Sequence, residues 1–85
     1  MVRQRAAWTS YGTGEMFEPN GLTAAHRSLP FGTCLVVGNP KTGKTVSVRV
    51  NDRGPFVAGL TLDLSAGAAW AIGMRSTESV TMRLC

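Results

Sequence analysis

Thr33-Cys34-Leu35-Val36-Val37-Gly38-Asn39-Pro40-Lys41-Thr42-Gly43-Lys44-Thr45-Val46-Ser47-Val48-Arg49-Val50-Asn51 is the stretch that decides the fold class. From Thr45 to Asn51, Val46, Val48 and Val50 alternate with Ser47, Arg49 and Asn51, the period of a strand with one face in a core and the other in water. Thr33 to Gly38 reads as its hairpin partner. Asn39 to Gly43 supplies the turn, with Pro40 to start it and Gly43 for a positive φ. The same letters, Gly38 to Thr45, match the pattern G-x-x-x-x-G-K-T of a phosphate-cradling loop. That loop works only if a helix begins at its Lys-Thr end, because the amide dipoles of the helix hold the phosphates. Here Val-Ser-Val-Arg-Val follows, a strand, so the match is a hairpin turn and nucleotide binding is excluded.

Outward from the hairpin, Val80 to Cys85 alternates again and predicts a closing strand, and Ala6 to Tyr11 predicts a weaker opening one. Leu62 and Leu64 share one side of an extended segment and leave Asp63 on the other. Ser65 to Ile72 predicts the one helix, with Ser65 as N-cap, Ala66, Ala68, Ala69 and Ala71 for close packing, and Gly73 to end it. Several short strands and one short helix in 85 residues argue for a small closed or half-closed β-barrel. Its expected core is Leu35, Val37, Val46, Val48, Val50, Leu62 and Leu64.

Eighty-five residues make a single domain over 1–85, with residues 1–5 expected as a flexible tail. Apolar residues are 44% and charged ones 16% of the chain, enough for a packed core and too little charge for disorder. The nine basic residues give a net charge of +4 but are scattered. A nucleic-acid footprint clusters them, so nucleic acid is excluded as a partner and an acidic polymer fits better. No apolar run approaches the ~20 residues that cross a bilayer, and Met1 to Ala7 lacks the apolar core of a signal peptide. An exported form would carry a leader ahead of this stretch, with Met1 then an added residue.

Two cysteines, Cys34 and Cys85, stand next to strand-like residues. An even count in a small domain suggests one disulfide, and two buried free thiols are the alternative.

Three stretches are richer in special residues than a barrel requires: Gly14-Glu15-Met16-Phe17, Leu22-Thr23-Ala24-Ala25-His26 with Leu29-Pro30-Phe31-Gly32-Thr33, and Asn51-Asp52-Arg53-Gly54-Pro55-Phe56. Together with Asp63-Leu64-Ser65 and the Ala-rich helix ending at Ile72-Gly73, they occur in the order found in the RlpA-like proteins, which this chain resembles from about Ala7 to its C-terminus. The resemblance implies a mainly β fold, a six-stranded double-psi β-barrel with one short α-helix, related to expansins. It also implies an extracytoplasmic lytic transglycosylase. Such enzymes cut the bond between N-acetylmuramic acid and N-acetylglucosamine in peptidoglycan glycan strands and leave a 1,6-anhydro end. The family's functional positions match Glu15, His26 and Asp52, expected here as catalytic, and Asp63 is similar to an aspartate of the expansins.

The chemistry suits these residue types. A carboxylic acid protonates the glycosidic oxygen, a negative group steadies the oxocarbenium-like state, and a base takes the proton of the sugar's C6 hydroxyl. Neither metal nor cofactor is needed. Asp52 is the expected acid/base, and Asp63, Arg53, Tyr11, Phe56 and Thr23 are the expected substrate contacts of a monomer acting on glycan strands. Structural roles stand beside these. Asp52 can pair with Arg53, Asp63 can hold the helix start, His26 can orient a carboxylate, and Trp8, Tyr11 and Phe56 can be core residues instead of stacking on sugars. The chain departs from the family where Trp8 and Tyr11 are separated and where Leu60 replaces a common basic residue. A barrel that grips peptidoglycan without cutting it, or a protease-inhibitor-like interaction module, are the alternatives from other functional classes.

Overall fold

Alternating residues turn into a barrel because each strand has one apolar face to bury and two edges to pair. The computed structural model describes residues 2–9 and 22–85. Among them the elements are β1 (Val2–Thr9), β2 (Thr23–His26), β3 (Cys34–Asn39), β4 (Lys44–Asp52), β5 (Leu62–Ser65), α1 (Ala66–Ala71) and β6 (Glu78–Leu84). The six strands close in the order β1-β5-β2-β4-β3-β6. Neighbours β1 and β5, and β2 and β4, are parallel, while the other four pairings are antiparallel.

The inward rows are the apolar positions of the alternation. Leu35 and Val37 from β3, Val48 and Val50 from β4, Leu62 and Leu64 from β5 and Val80 from β6 are buried, with Ala6 and Ala24 beside them. Val46, expected in the same row, is only partly buried, because it lies near the start of β4 where the barrel opens at the hairpin turn.

The helix forms within the predicted limits. The Ser65 hydroxyl accepts the Ala68 N–H as N-cap. At the other end, Gly73 adopts φ 71° while its N–H donates to Trp70 O and the Met74 N–H donates to Ala69 O, the paired bonds of a Schellman cap. Ala68, Ala69, Ile72 and Met74 are buried against the barrel.

The Gly38 to Thr45 segment is a hairpin, as predicted, and Gly43 takes the positive φ of 74°. Asn39, 2% exposed, anchors it. Its Oδ1 accepts the Lys41 N–H, and its Nδ2 donates to Ile72 O at 2.9 Å. The Thr42 hydroxyl donates to the same carbonyl, so the turn is fastened to the end of α1.

Residues 2–5, expected as part of a flexible tail, lie within β1. The opening strand begins at Val2, and Val2 to Ala6 pair with β6 before Ala6 to Thr9 pair with β5. Val2-Arg3-Gln4-Arg5 carries no apolar alternation, so its order comes from backbone bonds to a neighbour distant in sequence. Tyr11, the expected end of that strand, lies outside the described residues.

Cys34 and Cys85 are bonded to each other, with Cα atoms 5.4 Å apart and a sequence separation of 51. Leu35 is the register partner of Leu84, and the Cys85 N–H donates to Cys34 O. The disulfide therefore continues the β3–β6 ladder by one step. In the chain-entropy picture, closing a loop of this length stabilises the fold by about 4 kcal/mol.

Candidate active site

Three adjacent strands, β4-β2-β5, carry most of the described residues that sequence analysis singled out. Along β2, Ala24 pairs with Val50 of β4 and with Leu64 of β5, and all three are buried in the core. The next residue, Ala25, belongs to the outward row. Its partner on β5 is Asp63 and its partner on β4 is Asp52. The β4 pairing skips Asn51, because the register shifts between Ala24 and Ala25. That bulge decides which residue stands beside Ala25: in an uninterrupted ladder it would be Asn51, and the extra residue hands the position to Asp52. Asp52 and Asp63 thus flank one alanine on one face, separated by two strand spacings, about 10 Å. Both are half-buried.

Thr23 lies two residues before Ala25 on the same strand, and its N–H donates to the Ser65 hydroxyl at 3.2 Å. His26 is the last residue of β2, opposite Leu62, and so belongs to the neighbouring row. Its Nδ1 accepts the backbone N–H of Ser28 and of Leu29, both at 3.1 Å. Burial first, then the positive charges of Arg27 and Arg53, hold its pKa below the ordinary value for histidine, so the ring is neutral near pH 7.

Arg53, expected as a substrate contact, is engaged within the protein. Its backbone N–H donates to Asp52 Oδ1 at 2.8 Å. Its Nη1 donates to the carbonyls of His26 at 3.1 Å and Leu29 at 2.7 Å. The guanidinium carbon lies 4.2 Å from the centre of the Phe31 ring. The end of β4 and the 26–31 turn are therefore tied together by one side chain. Sequence analysis placed Phe31 in a motif but gave it no role of its own. It is 60% exposed, and its position in Leu-Pro-Phe-Gly-Thr, within reach of the Asp-Arg corner, was the available signal. Phe56, 78% exposed, stands on the loop between β4 and β5 and offers an open aromatic face. Glu15 and Tyr11 lie outside the described residues.

Taken together, the described site offers two carboxylates in one row, a neutral imidazole at the end of the strand that runs between them and two exposed rings. That set can exchange protons and stack against a sugar.

The sequence matches the family described as lytic transglycolase over residues 4–84. It is 61% identical over 64 residues, 75% of this chain, to the probable endolytic peptidoglycan transglycosylase RlpA of Synechocystis. It is 49% identical over 71 residues, 84% of this chain, to the endolytic peptidoglycan transglycosylase RlpA of Campylobacter jejuni. The matched part spans 20% and 26% of those two proteins, so the chain corresponds to one part of much longer relatives. Among solved structures, a Clavibacter michiganensis expansin superposes with a TM-score of 0.78 at 25% identity, covering 98% of this chain and 49% of that one. Cerato-platanin 3 from M. perniciosa superposes with a TM-score of 0.71 at 18% identity, covering 99% and 94%, which shows the shared double-psi barrel alone. With the family matched from end to end of the barrel and close RlpA relatives in several bacteria, this chain belongs to the RlpA-like lytic transglycolase family.

Proposed function

We propose that the barrel is the catalytic domain of a peptidoglycan lytic transglycosylase that cleaves the bond between N-acetylmuramic acid and N-acetylglucosamine. The observation that carries the reading is the bulge after Val50, which gives Asp52 rather than Asn51 the place beside Ala25 and in line with Asp63. A paired-carboxylate row is what glycosidic chemistry uses.

In the proposed reaction, Asp52 in its protonated form gives its proton to the glycosidic oxygen as the bond from that oxygen to C1 of the muramic acid breaks. A carboxylate from Glu15 or Asp63 steadies the positive charge that develops at the ring. The C6 hydroxyl oxygen of the same sugar then bonds to C1, and its proton passes to a carboxylate. No water enters, and the products are a free 4-hydroxyl on one strand and a 1,6-anhydro end on the other. Phe56 and Phe31 supply aromatic faces for flanking sugars. Peptidoglycan lies outside the cytoplasmic membrane, and the Cys34–Cys85 disulfide suits that oxidising side.

Digestion of purified sacculi, followed by mass spectrometry for anhydro-muropeptides, tests the proposal. The parent releases anhydro product, and Asp52→Asn, which keeps shape but cannot exchange the proton, lowers the rate by about 10²- to 10⁴-fold while still binding sacculi. The likeness to an expansin favours a second reading, a barrel that binds glycan without cutting it. Sacculus binding by the parent with no anhydro product would establish that one instead.

A further inference from the structure

A histidine in a glycan-cutting site can act in two opposite ways, as a base that accepts a proton or as a donor that holds an oxygen. The hydrogen bonds of His26 discriminate between them. Ser28 and Leu29 both direct backbone N–H groups at Nδ1. A peptide N–H only donates, so the nitrogen it meets must carry a lone pair and no proton. The remaining proton of a neutral ring then sits on Nε2, the tautomer being set by the bond its partner nitrogen makes. Nε2–H is a donor with nothing to accept a proton. Protonating the ring would bring a third N–H against the two already there and break the turn.

The turn is itself pinned. Arg53 Nη1 donates to the carbonyls of His26 and Leu29, the first and last residues of the loop that wraps Nδ1. Among the described residues, the charged groups on the segments next to His26 are Arg27 on its own segment, Arg53 at the end of β4, and Asp52 on β4 and Asp63 on β5, the register partners of Ala25. Of these, the two arginines lower its pKa and add to burial in keeping it neutral.

We propose that His26 is locked as the neutral Nε2–H tautomer and serves the glycan as a hydrogen-bond donor, so that the C6 hydroxyl proton goes to a carboxylate and never to this imidazole. The identity of the ligand rests on the transglycosylase reading; the tautomer does not.

Nitrogen NMR of the histidine-labelled chain tests the tautomer directly. Near neutral pH the expected spectrum has a protonated, pyrrole-type Nε2 and a bare, pyridine-type Nδ1, and a proton on Nδ1 would overturn the proposal whatever the activity. Function is then read from two variants. The Gln side-chain amide reaches about as far as Nε2 and donates there, whereas the shorter Asn can cap the 26–29 turn through its oxygen but cannot reach the glycan. His26→Gln should stay within about tenfold of the parent in sacculus digestion, and His26→Asn should lose about 10²-fold or more, the usual cost of removing a fixed donor. Equal loss in both variants means that His26 is the base and defeats the proposal. If the parent proves to bind without cutting, the same pair is compared in sacculus pull-down: weaker retention of His26→Asn alone supports the donor role, and unchanged retention of both rejects it.

Discussion

Arg53 Nη1 and the carbonyl oxygen of Leu29 are 2.7 Å apart, a contact that joins the end of β4 to a turn 24 residues earlier in the chain. The same guanidinium stacks on Phe31, and the Arg53 N–H holds Asp52 Oδ1. One residue thus orients both the carboxylate expected to exchange the proton and the loop that fixes His26.

Arg53→Lys tests that positioning role. An ammonium keeps the charge but loses the planar fork and the flat face that stacks on an aromatic ring. Misplacing catalytic groups by about an ångström costs on the order of 10²-fold in rate, so the variant should lose kcat in sacculus digestion while its retention on sacculi changes little. A loss confined to retention would mean that Arg53 contacts the glycan instead.

Ser65 joins three parts of the barrel, because its hydroxyl accepts the N–H of Thr23 on β2 and of Ala68 in α1 from the end of β5. Ser65→Ala leaves two N–H groups without their acceptor and should destabilise the fold by about 1–2 kcal/mol. Ser65→Thr, which keeps the hydroxyl, should recover much of that. Urea denaturation midpoints at constant slope measure both.

Much of this fold is legible in the sequence because its signals are local. The Val46-Val48-Val50 alternation, the Asn39-Pro40 turn, the Ser65 cap and the Gly73 stop each act within a few residues, and the hairpin and helix lie where those signals put them. The strand at Val2 to Arg5 is not legible, since its partners are Ser79 to Met82 at the far end of the chain. Nor is the bulge after Val50: it arises from parallel pairing with β2 some 26 residues away, and no single-strand pattern reports which of Asn51 and Asp52 meets Ala25. Asp52 and His26 could be chosen from motifs, but the engagement of Arg53 and Phe31 needed the closed barrel to be seen.

The phosphate-loop pattern at Gly38 to Thr45 gives a sharp pair of expectations. Asn39→Ala removes the amide that joins the hairpin to Ile72 O from a site that excludes water, so it should cost about 1–3 kcal/mol in thermal or urea unfolding. Lys44→Ala, exposed at the start of β4, should leave stability nearly unchanged. Neither protein should bind ATP in calorimetry; saturable binding that Lys44→Ala abolished would restore the nucleotide reading.

Reduction of the disulfide should weaken the fold heavily. The paired variant Cys34→Ser with Cys85→Ser should lose about 2–5 kcal/mol, and the parent in reducing buffer should fall to a similar unfolding midpoint. Equal stability of the oxidised and reduced protein would show that the β3–β6 ladder holds without the covalent link.

His26 should make stability depend on pH in a direction fixed by its environment. Burial, Arg27 and Arg53 lower its pKa in the folded chain, so between that lowered value and the ordinary ~6.5 of a free histidine the unfolded chain binds more protons than the folded one. Stability therefore rises with pH across that window. The contribution is complete above pH ~6.5 and is lost as the pH falls toward the folded value. Carboxylates titrate in the same acid range and act on every variant, so the informative quantity is a difference. His26→Asn has a side-chain oxygen able to accept the Ser28 and Leu29 N–H groups and nothing to titrate. Between pH 8 and 5 the parent should thus lose more stability than His26→Asn, as measured by urea unfolding at each pH. Parallel curves would mean that protonation costs the folded ring nothing, and the two N–H bonds at Nδ1 would then not be what keeps it neutral.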